Sequence, residues 1–190
     1  ATMGRHERLA GQFHLPFQSG SDRVLQAMNR RYTAAEYLAL VEYARAANPG
    51  LVLTADVIVG FPGETEAEFE DTMRLVERVR FDALFTFIYS PRKGTPAAGL
   101  PDPVPRAEKI AWFDRLCALQ NRISGEKHAE YVGKTVRVLV DGREENGPLT
   151  ARTEGGRLVR LTGPDSLIGN FAQAKITGSS TWSLLGEAAE

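Results

Sequence analysis

The sequence predicts an α/β unit followed by a small all-β barrel, and three observations support this. Short apolar runs alternate with helical patterns as far as about residue 126, an alternation typical of parallel strands joined by helices. From Val132 onward no helical pattern is present, and short alternating stretches take over. Turn signals, Asp141-Gly142 and Asn146-Gly147, separate those stretches. We therefore expect two domains, residues 1–126 and residues 127–190.

The composition excludes several classes of protein. The 190 residues (20.9 kDa) are 43% hydrophobic and 25% charged, which is close to the globular average and argues against global disorder. Lys and Arg number 23 and Asp and Glu number 24, so any nucleic-acid binding must depend on a local surface. No apolar run approaches the roughly 18 residues of a membrane span, and the first residues do not resemble a signal peptide. We expect a cytoplasmic protein that does not contact membranes.

Cysteine and histidine offer little metal-binding potential. The single cysteine, Cys117, cannot form an internal disulfide, which favours a reducing compartment. It lies in a helical stripe beside Leu116 and Leu119, so a small buried apolar role is expected. No carboxylate or cysteine stands at ligand spacing from the three histidines, and no metal site is predicted from them: His6, His14 and His128.

The first elements read as a strand and two helices. A short apolar run, Phe13–Phe17, predicts the first strand, and a polar loop follows it. Either Ser21 or Asp22 is expected to cap the next helix. Thr33 precedes Glu36 at the spacing of a capping box and therefore predicts the start of a second, well-bounded helix.

The following elements complete the alternation. The aliphatic run Leu51–Val59 predicts a strand buried on both faces, with Asp56 as its one charged member. Thr65 is expected to cap a helix that ends near Arg80, and Ala83–Tyr89 predicts the next strand.

A long helix is predicted over Arg106–Ala129, with an apolar face formed by Ile110, Phe113, Leu116, Leu119 and Ile123. A closed barrel of roughly 60 residues is expected after it. Its strands are predicted at Lys134–Val140, Arg157–Thr162 and Phe171–Thr177.

Ligands of parallel α/β folds bind at the carboxyl ends of the strands, which here are the loops after residues 17, 59 and 89. Gln18, Ser19 and Ser21 are suited to hydrogen-bond a ligand, although the residues alone favour ordinary loop and cap chemistry. Asp56 needs a partner, either a buried donor or a ligand, because an unpaired acid inside an apolar strand is costly. Gly60 to Glu64 lacks the lysine and spacing of a phosphate-binding loop and predicts a tight turn.

Two groups of cations are candidates for binding an anion. Arg92 and Lys93 stand beside Gly94 at a strand end. Six further cations are spaced along the barrel, where alternate residues share a face: Lys134, Arg137, Arg152, Arg157, Arg160 and Lys175. Since residues 127–190 hold eight cationic and eight acidic side chains, only clustering in space would create an RNA-binding surface.

Four motifs follow one another along nearly the whole chain from about residue 13. They are HLPFQSGSD (14–22) with RRYT (30–33), TADVIVGFPGE (54–64), FTFIYSPRKGTP (85–96) and TWSLLGE (181–187). Together they resemble the radical-SAM methylthiotransferase family, and the last motif resembles its tRNA-modifying MiaB branch.

The resemblance implies a fold and an activity. The fold is half of a radical-SAM domain, a partial parallel (βα) barrel, followed by a TRAM domain, a small OB-like β-barrel that binds RNA. The activity is methylthio transfer to isopentenylated adenosine next to the anticodon, with two [4Fe-4S] clusters and S-adenosylmethionine as methyl donor and radical source. By the same resemblance, five residues border the S-adenosylmethionine and substrate pocket: Gln18, Ser19, Asp56, Gly60 and Tyr89. The cations of the two groups above would contact the tRNA anticodon stem-loop.

The chain departs from the family in its cysteines. The cluster ligands of the family, including a CxxxCxxC motif, belong upstream of residue 13, whereas this chain has only Cys117. A thiolate-held [4Fe-4S] cluster cannot form on one cysteine. We therefore expect a C-terminal fragment that is catalytically inert without the N-terminal half. We also expect an open sheet edge that exposes apolar surface and promotes association.

Two alternatives remain open from the sequence. One is methylthiolation of a ribosomal protein, as in the RimO branch of the same family. The other is a stand-alone RNA-binding module in which the α/β part is only a scaffold. The Tyr-Ser-Pro-Arg loop and the Thr-Trp-Ser-Leu end favour tRNA.

Overall fold

The computed structural model describes residues 9–189. These divide into two compact units: Phe13–Pro49 with Leu53–Asn121 form one, and the rest, including the chain from Arg122 onward, forms the other. The division falls inside a long helix, and the domain boundary at residue 127 stays a prediction. In chain order the elements are β1 (Gln12–His14), α1 (Asp22–Ala27), α2 (Ala34–Ala47), β2 (Val52–Val59), α3 (Glu66–Val79), β3 (Ala83–Ile88), α4 (Arg106–Ala129), β4 (Thr135–Arg143), β5 (Leu149–Thr153), β6 (Leu158–Thr162), β7 (Phe171–Ser179) and β8 (Leu184–Ala188).

A three-stranded sheet has β2 at its centre, between β1 and β3. β2 and β3 run parallel, with Thr54 opposite Ala83 and Val59 opposite Ile88. The predicted burial of β2 on both faces is only partly correct. Leu53, Ala55, Val57 and Val59 on one face are at most 1% exposed, whereas Asp56 and Ile58 on the other face are half-buried.

The partly open face continues onto β3. Phe85 lies opposite Asp56 and Phe87 opposite Ile58, and the two phenylalanines are 54% and 53% exposed. Side chains alternate between the faces of a strand, so both rings lie on the same side of the sheet. Apolar surface is therefore exposed on this face, while association of the chain stays a prediction.

The helix starts follow the capping signals in the sequence. Ser21 is the N-cap of α1 and accepts a hydrogen bond from the amide of Val24. Thr33 and Thr65 cap α2 and α3, each in a complete capping box. In both boxes the carboxylate of a glutamate three residues later accepts a hydrogen bond from the cap amide. Each box therefore satisfies two amides that a helix start leaves unpaired.

The predicted buried face of α4 is only partly correct. Leu116 and Ile123 are fully buried as predicted, but Ile110 is 41% exposed. Lys109, Trp112 and Gln120, which were not predicted, are at most 5% exposed, because periodicity ranks only apolar side chains. Trp112 stacks on Phe69 of α3 with 5.3 Å between ring centroids, and the Gln120 amide donates to the Phe81 carbonyl at 2.9 Å, so these contacts set the rotation of the helix.

The predicted closed barrel is confirmed, with strand order β4-β5-β6-β8-β7. β4 pairs with both β5 and β7, and β6 pairs with β8 in parallel. The inward side chains form one apolar core: Val138, Val140, Leu149, Ala151, Val159, Leu161, Ala174, Ile176 and Leu184.

Two features of the barrel differ from those predicted from the sequence. β5 and β8 were not among the predicted strands. Asp141-Gly142 is not a turn, because β4 continues through it and its register with β5 shifts between Val140 and Gly142, as at a β-bulge. The turn signal at Asn146-Gly147 is correct: Asn146 has a left-handed φ of 55° between β4 and β5.

A close backbone approach fixes the loop before α1 against α3. The Gly20 amide donates to the Thr72 hydroxyl at 2.8 Å. A Cβ at Gly20 would lie 2.5 Å from the Asp71 carbonyl oxygen, and backbone at that distance cannot move without displacing the helix.

We expect Gly20→Ala to lower the free energy of unfolding by about 1–3 kcal/mol, the usual cost of overpacking. Denaturant unfolding followed by circular dichroism measures it. Gly99→Ala is the matched control, because nothing lies within 4 Å of a Cβ there. Equal stability of the two variants would contradict the close approach.

Candidate functional site

The structure brings the five candidate pocket residues to one region of the sheet. Gln18 forms a parallel bridge with Val57 of β2. Gly60 directly follows β2, and the amide of Tyr89, which directly follows β3, donates to the Val59 carbonyl at 2.8 Å. The carboxyl ends of β2 and β3 therefore lie side by side, which is the edge where parallel α/β folds bind ligands.

Gln18 is held by backbone hydrogen bonds on both sides. Its amide donates to the Asp56 carbonyl at 3.0 Å, and its carbonyl accepts from the Ile58 amide at 2.9 Å. Its φ of 68° is uncommon for a residue other than glycine. The neighbouring Ser19 is 1% exposed, and its hydroxyl accepts from the Ser21 amide at 3.2 Å. Local loop chemistry thus accounts for the side chain of Ser19.

Asp56 has a partner that the sequence did not identify. The Nε2 atom of His14 lies 3.4 Å from Asp56 Oδ1, and its Nδ1 atom lies 2.9 Å from the Thr54 hydroxyl. The ring centroid of His14 is 5.8 Å from that of Phe85. His14 and Asp56 are 42 positions apart in sequence, so only the pairing of β1 with β2 brings them together. The His14 and Asp56 side chains are 43% and 33% exposed, which leaves both accessible from the open face of the sheet.

The turn after β2 is built around a buried carboxylate. Glu64 is 1% exposed, and its Oε2 atom accepts from the amides of Gly60 at 2.6 Å and Phe61 at 3.1 Å. Burial is the largest influence on this side chain and raises the pKa of Glu64 to about 7, against the opposing effect of the two amides. The predicted tight turn is therefore correct, and Glu64 is the side chain that holds it.

Lys109 of α4 holds the same turn from the other side. Its Nζ atom donates to the Gly60 carbonyl at 2.8 Å and to the carboxylate oxygens of Asp102 at 2.7 and 2.5 Å. A Cβ at Gly60, whose φ is +73°, would lie 2.5 Å from the Lys109 side chain. Sequence reasoning missed Lys109, since a lysine in an amphipathic helix normally indicates a solvated face.

Tyr89 has an unsatisfied polar atom. Its hydroxyl is buried and has no hydrogen-bond partner among the described residues. Its ring packs edge-on against Phe61, with 5.2 Å between centroids. A buried hydroxyl without a partner is uncommon in proteins and is suited to a hydrogen bond with a bound molecule.

The candidate cations differ in their surroundings. Arg152 pairs with Asp141 at 3.2 Å and Arg160 with Glu144 at 2.8 Å. Arg157 is only 9% exposed, with its guanidinium 5.0 Å from the Tyr131 ring centroid, so it is poorly placed for a phosphate. The remaining five are exposed: Arg92, Lys93, Lys134, Arg137 and Lys175.

Metal-binding side chains do not gather in the part of the chain that the structure describes: no group of three His, Cys, Asp or Glu residues there could hold an ion. Cys117 is partly buried, and burial raises the pKa of its thiol despite a hydrogen bond with Thr86. His6 lies outside the described residues, while His128 is buried and within 2.9 Å of the Ser180 carbonyl oxygen. Among the described helices, none is long and apolar enough to cross a membrane.

Family models match both parts of the chain. The radical SAM superfamily model matches residues 6–76, and the TRAM domain model matches residues 129–189. The fold is also similar to that of coproporphyrinogen III oxidase (HemN) from Escherichia coli, described as a radical SAM enzyme. The TM-score is 0.51 at 17% identity, over 87% of this chain and 41% of that chain. At this identity the likeness concerns the fold alone.

Curated relatives match almost the whole chain. The tRNA-2-methylthio-N(6)-dimethylallyladenosine synthase of Thermoanaerobacter sp. (strain X514) is 47% identical over 97% of this chain and 40% of its own length. The enzymes of the same name from Anoxybacillus flavithermus and Bacillus thuringiensis are 49% and 47% identical, over 96% and 99% of this chain. The chain covers 35% and 37% of those two proteins, and so spans well under half of the relatives it matches. With radical-SAM and TRAM sequence in this order and relatives of this similarity, the chain belongs to the radical-SAM methylthiotransferase family.

Proposed function

We propose that the chain is the C-terminal part of a tRNA methylthiotransferase that acts on isopentenylated adenosine next to the anticodon. The observation that carries this proposal is 47% identity, along 97% of the chain, to a synthase named for that product. The relatives' names favour tRNA over a ribosomal protein as substrate. The radical-SAM match at residues 6–76 argues against a stand-alone RNA-binding module.

The end of the sheet fits S-adenosylmethionine, which would supply the methyl group and the radical. Gln18, Asp56, Gly60 and Tyr89 would hold it, whereas the buried Ser19 would support the loop through its bond from the Ser21 amide. Support comes from the unpartnered Tyr89 hydroxyl and from the open face around Asp56. Within this arrangement Glu64 and Lys109 are positioning residues, because they fix the Gly60 turn through its backbone.

The chain does not fit the two [4Fe-4S] clusters of the family. Such clusters need several thiolate ligands, and Cys117 is the single cysteine of the sequence. We therefore assign the clusters to the N-terminal half of the full enzyme, which becomes the first partner of this chain. A cytoplasmic location follows from a tRNA substrate.

The proposed RNA partner is the tRNA anticodon stem-loop, bound by the barrel of residues 127–190. Arg92 and Lys93, in the other unit, are proposed as separate RNA contacts. The TRAM match over residues 129–189 supports this. Arg157 is excluded from the proposed surface because of its burial. Fluorescence anisotropy with a labelled isopentenylated anticodon stem-loop, and with a ribosomal-protein peptide as competitor, tests the proposal. RNA binding that the peptide does not displace is expected, and displacement would favour the protein substrate.

The isolated chain is expected to leave S-adenosylmethionine intact. With one cysteine it cannot hold a [4Fe-4S] cluster, so no electron is delivered to the sulfonium. The measurement is 5′-deoxyadenosine formation under reducing, iron-loaded conditions, with the Thermoanaerobacter synthase as positive control. Formation of 5′-deoxyadenosine above the protein-free blank would overturn this expectation.

RNA affinity should fall steeply as salt increases, since each phosphate contact releases counterions. Arg152→Glu and Arg160→Glu should both weaken binding and reduce the slope of log K against log salt. Arg78→Glu is the matched control, since Arg78 is likewise exposed and paired with a carboxylate but lies on α3. Unchanged affinity in both barrel variants would remove these residues from the proposed surface.

The free energy of unfolding of the chain should depend on pH through the titration of Glu64. Burial raises the pKa of Glu64 to about 7 in the folded chain from its ordinary value of 4.5, so the folded state binds this proton more readily than the unfolded state. The stabilisation from protonated Glu64 is complete below about pH 4.5 and is lost as pH rises through about 7.

Glu64→Gln keeps an acceptor for the two amides and removes the titration. The stability of the variant relative to wild type should therefore rise by about 3 kcal/mol between pH 4 and pH 8, as measured by urea unfolding at each pH. Glu145→Gln, at an exposed site in the β4–β5 turn, controls for the change in net charge. A relative stability independent of pH would show that the pKa of Glu64 is the same in the folded and unfolded chain.

A further inference from the structure

The outer surface of the barrel carries an exposed aromatic ring that the core does not use. Phe171, at the start of β7, is 59% exposed. Alternation along β7 directs Ala172, Ala174 and Ile176 inward, so Phe171 must face outward. Burying the ring would require a one-residue slip that would turn Ala174 and Ile176 out of the core.

A guanidinium covers one side of this ring. The Cζ atom of Arg137 lies 3.8 Å from the Phe171 ring centroid, which is a close cation–π contact. Leu139, 38% exposed, is directly opposite Phe171 in the β4–β7 register. These three side chains form a small apolar and cationic patch, here called the Phe171 platform.

The charge of Arg137 is available to a ligand. Three other barrel arginines are paired with carboxylates: Arg143 with Asp165, Arg152 with Asp141 and Arg160 with Glu144. Among residues 9–189, no carboxylate lies within ion-pair distance of Arg137. Its N–H groups therefore remain free to donate to a phosphate while its plane stays on the ring.

We propose that the Phe171 platform binds an unpaired RNA nucleotide, with the base stacked on the ring and guanidinium and the phosphate bound by Arg137. An exposed ring with a planar cation matches the stacking surfaces of proteins that bind single-stranded nucleic acid. Arg152, opposite Leu139 across the β4–β5 pair, lies on the same face but is paired with Asp141 at 3.2 Å, so Arg137 is the cation that the proposal assigns to the phosphate. This inference rests on the proposed function, since it identifies which part of the barrel contacts an unpaired base of the RNA.

The test uses the full chain with two RNA probes: an anticodon stem-loop, which has unpaired bases, and a blunt duplex of the same length. Phe171→Leu removes the ring and keeps an apolar side chain. It should weaken stem-loop binding by roughly 5- to 140-fold, the usual contribution of one stacked base. The salt slope should not change, because no phosphate contact is lost, and duplex binding should not change. Phe171→Tyr should retain the affinity.

Two further variants make the result specific. Tyr43→Leu is the matched control, because Tyr43 is an aromatic of similar exposure (60%) on α2 of the other unit. Arg137→Lys keeps the charge and loses the planar stack, so it should weaken stem-loop binding and spare duplex binding. Thermal melts should show that each variant is folded.

The outcomes separate this inference from the proposed function. Salt-sensitive stem-loop binding that Phe171→Leu weakens no more than Tyr43→Leu does would overturn the Phe171 platform and leave the RNA partner intact. Equal weakening of stem-loop and duplex binding would also overturn it, since a duplex offers no unpaired base. Failure of the wild-type chain to bind either RNA would overturn both the Phe171 platform and the proposed RNA partner of this chain.

Discussion

The central position and burial of β2 determine where every candidate pocket residue lies. One face of the strand packs Leu53, Ala55, Val57 and Val59 away from water, which fixes the register with both neighbours. That register places Gln18 beside Asp56 and Val57, and it places Tyr89 beside the residue at the end of β2. A slip by one residue would bury Asp56 and expose the core side chains. The pocket geometry is thus a consequence of core packing.

A second constraint operates where β2 ends. Gly60 adopts a left-handed conformation, and its amide and carbonyl are both bound by side chains, Glu64 on one side and Lys109 on the other. Both side chains are buried, and an unpaired buried charge would be costly. The two groups are therefore satisfied through the turn backbone and, for Lys109, through Asp102. This arrangement holds both the amide and the carbonyl of Gly60 in place.

Side chains alternate along the barrel strands between an inward apolar core and an outward, solvent-exposed surface. Inward side chains are small and aliphatic and form one core. Outward positions carry the cations together with Phe171 and Leu139, none of which the core requires. Three outward arginines of the barrel, Arg143, Arg152 and Arg160, are paired with carboxylates. This agrees with the equal numbers of cationic and acidic side chains in residues 127–190. Arg137 differs from these arginines, because its neighbour is an aromatic ring, Phe171, instead of an acid.

The sequence by itself determined the features that depend on neighbouring residues: the caps at Ser21, Thr33 and Thr65, the aliphatic central strand and the change from helices to short strands. These follow from local hydrogen bonding and from periodicity, and the four motifs added the family. Only the tertiary structure decided which distant groups meet. His14 contacts Asp56 and Lys109 contacts Gly60 across 42 and 49 positions, and β5 and β8 become strands because the closing barrel pairs them. Such contacts are set by the packing of whole elements, and no window of sequence contains both partners.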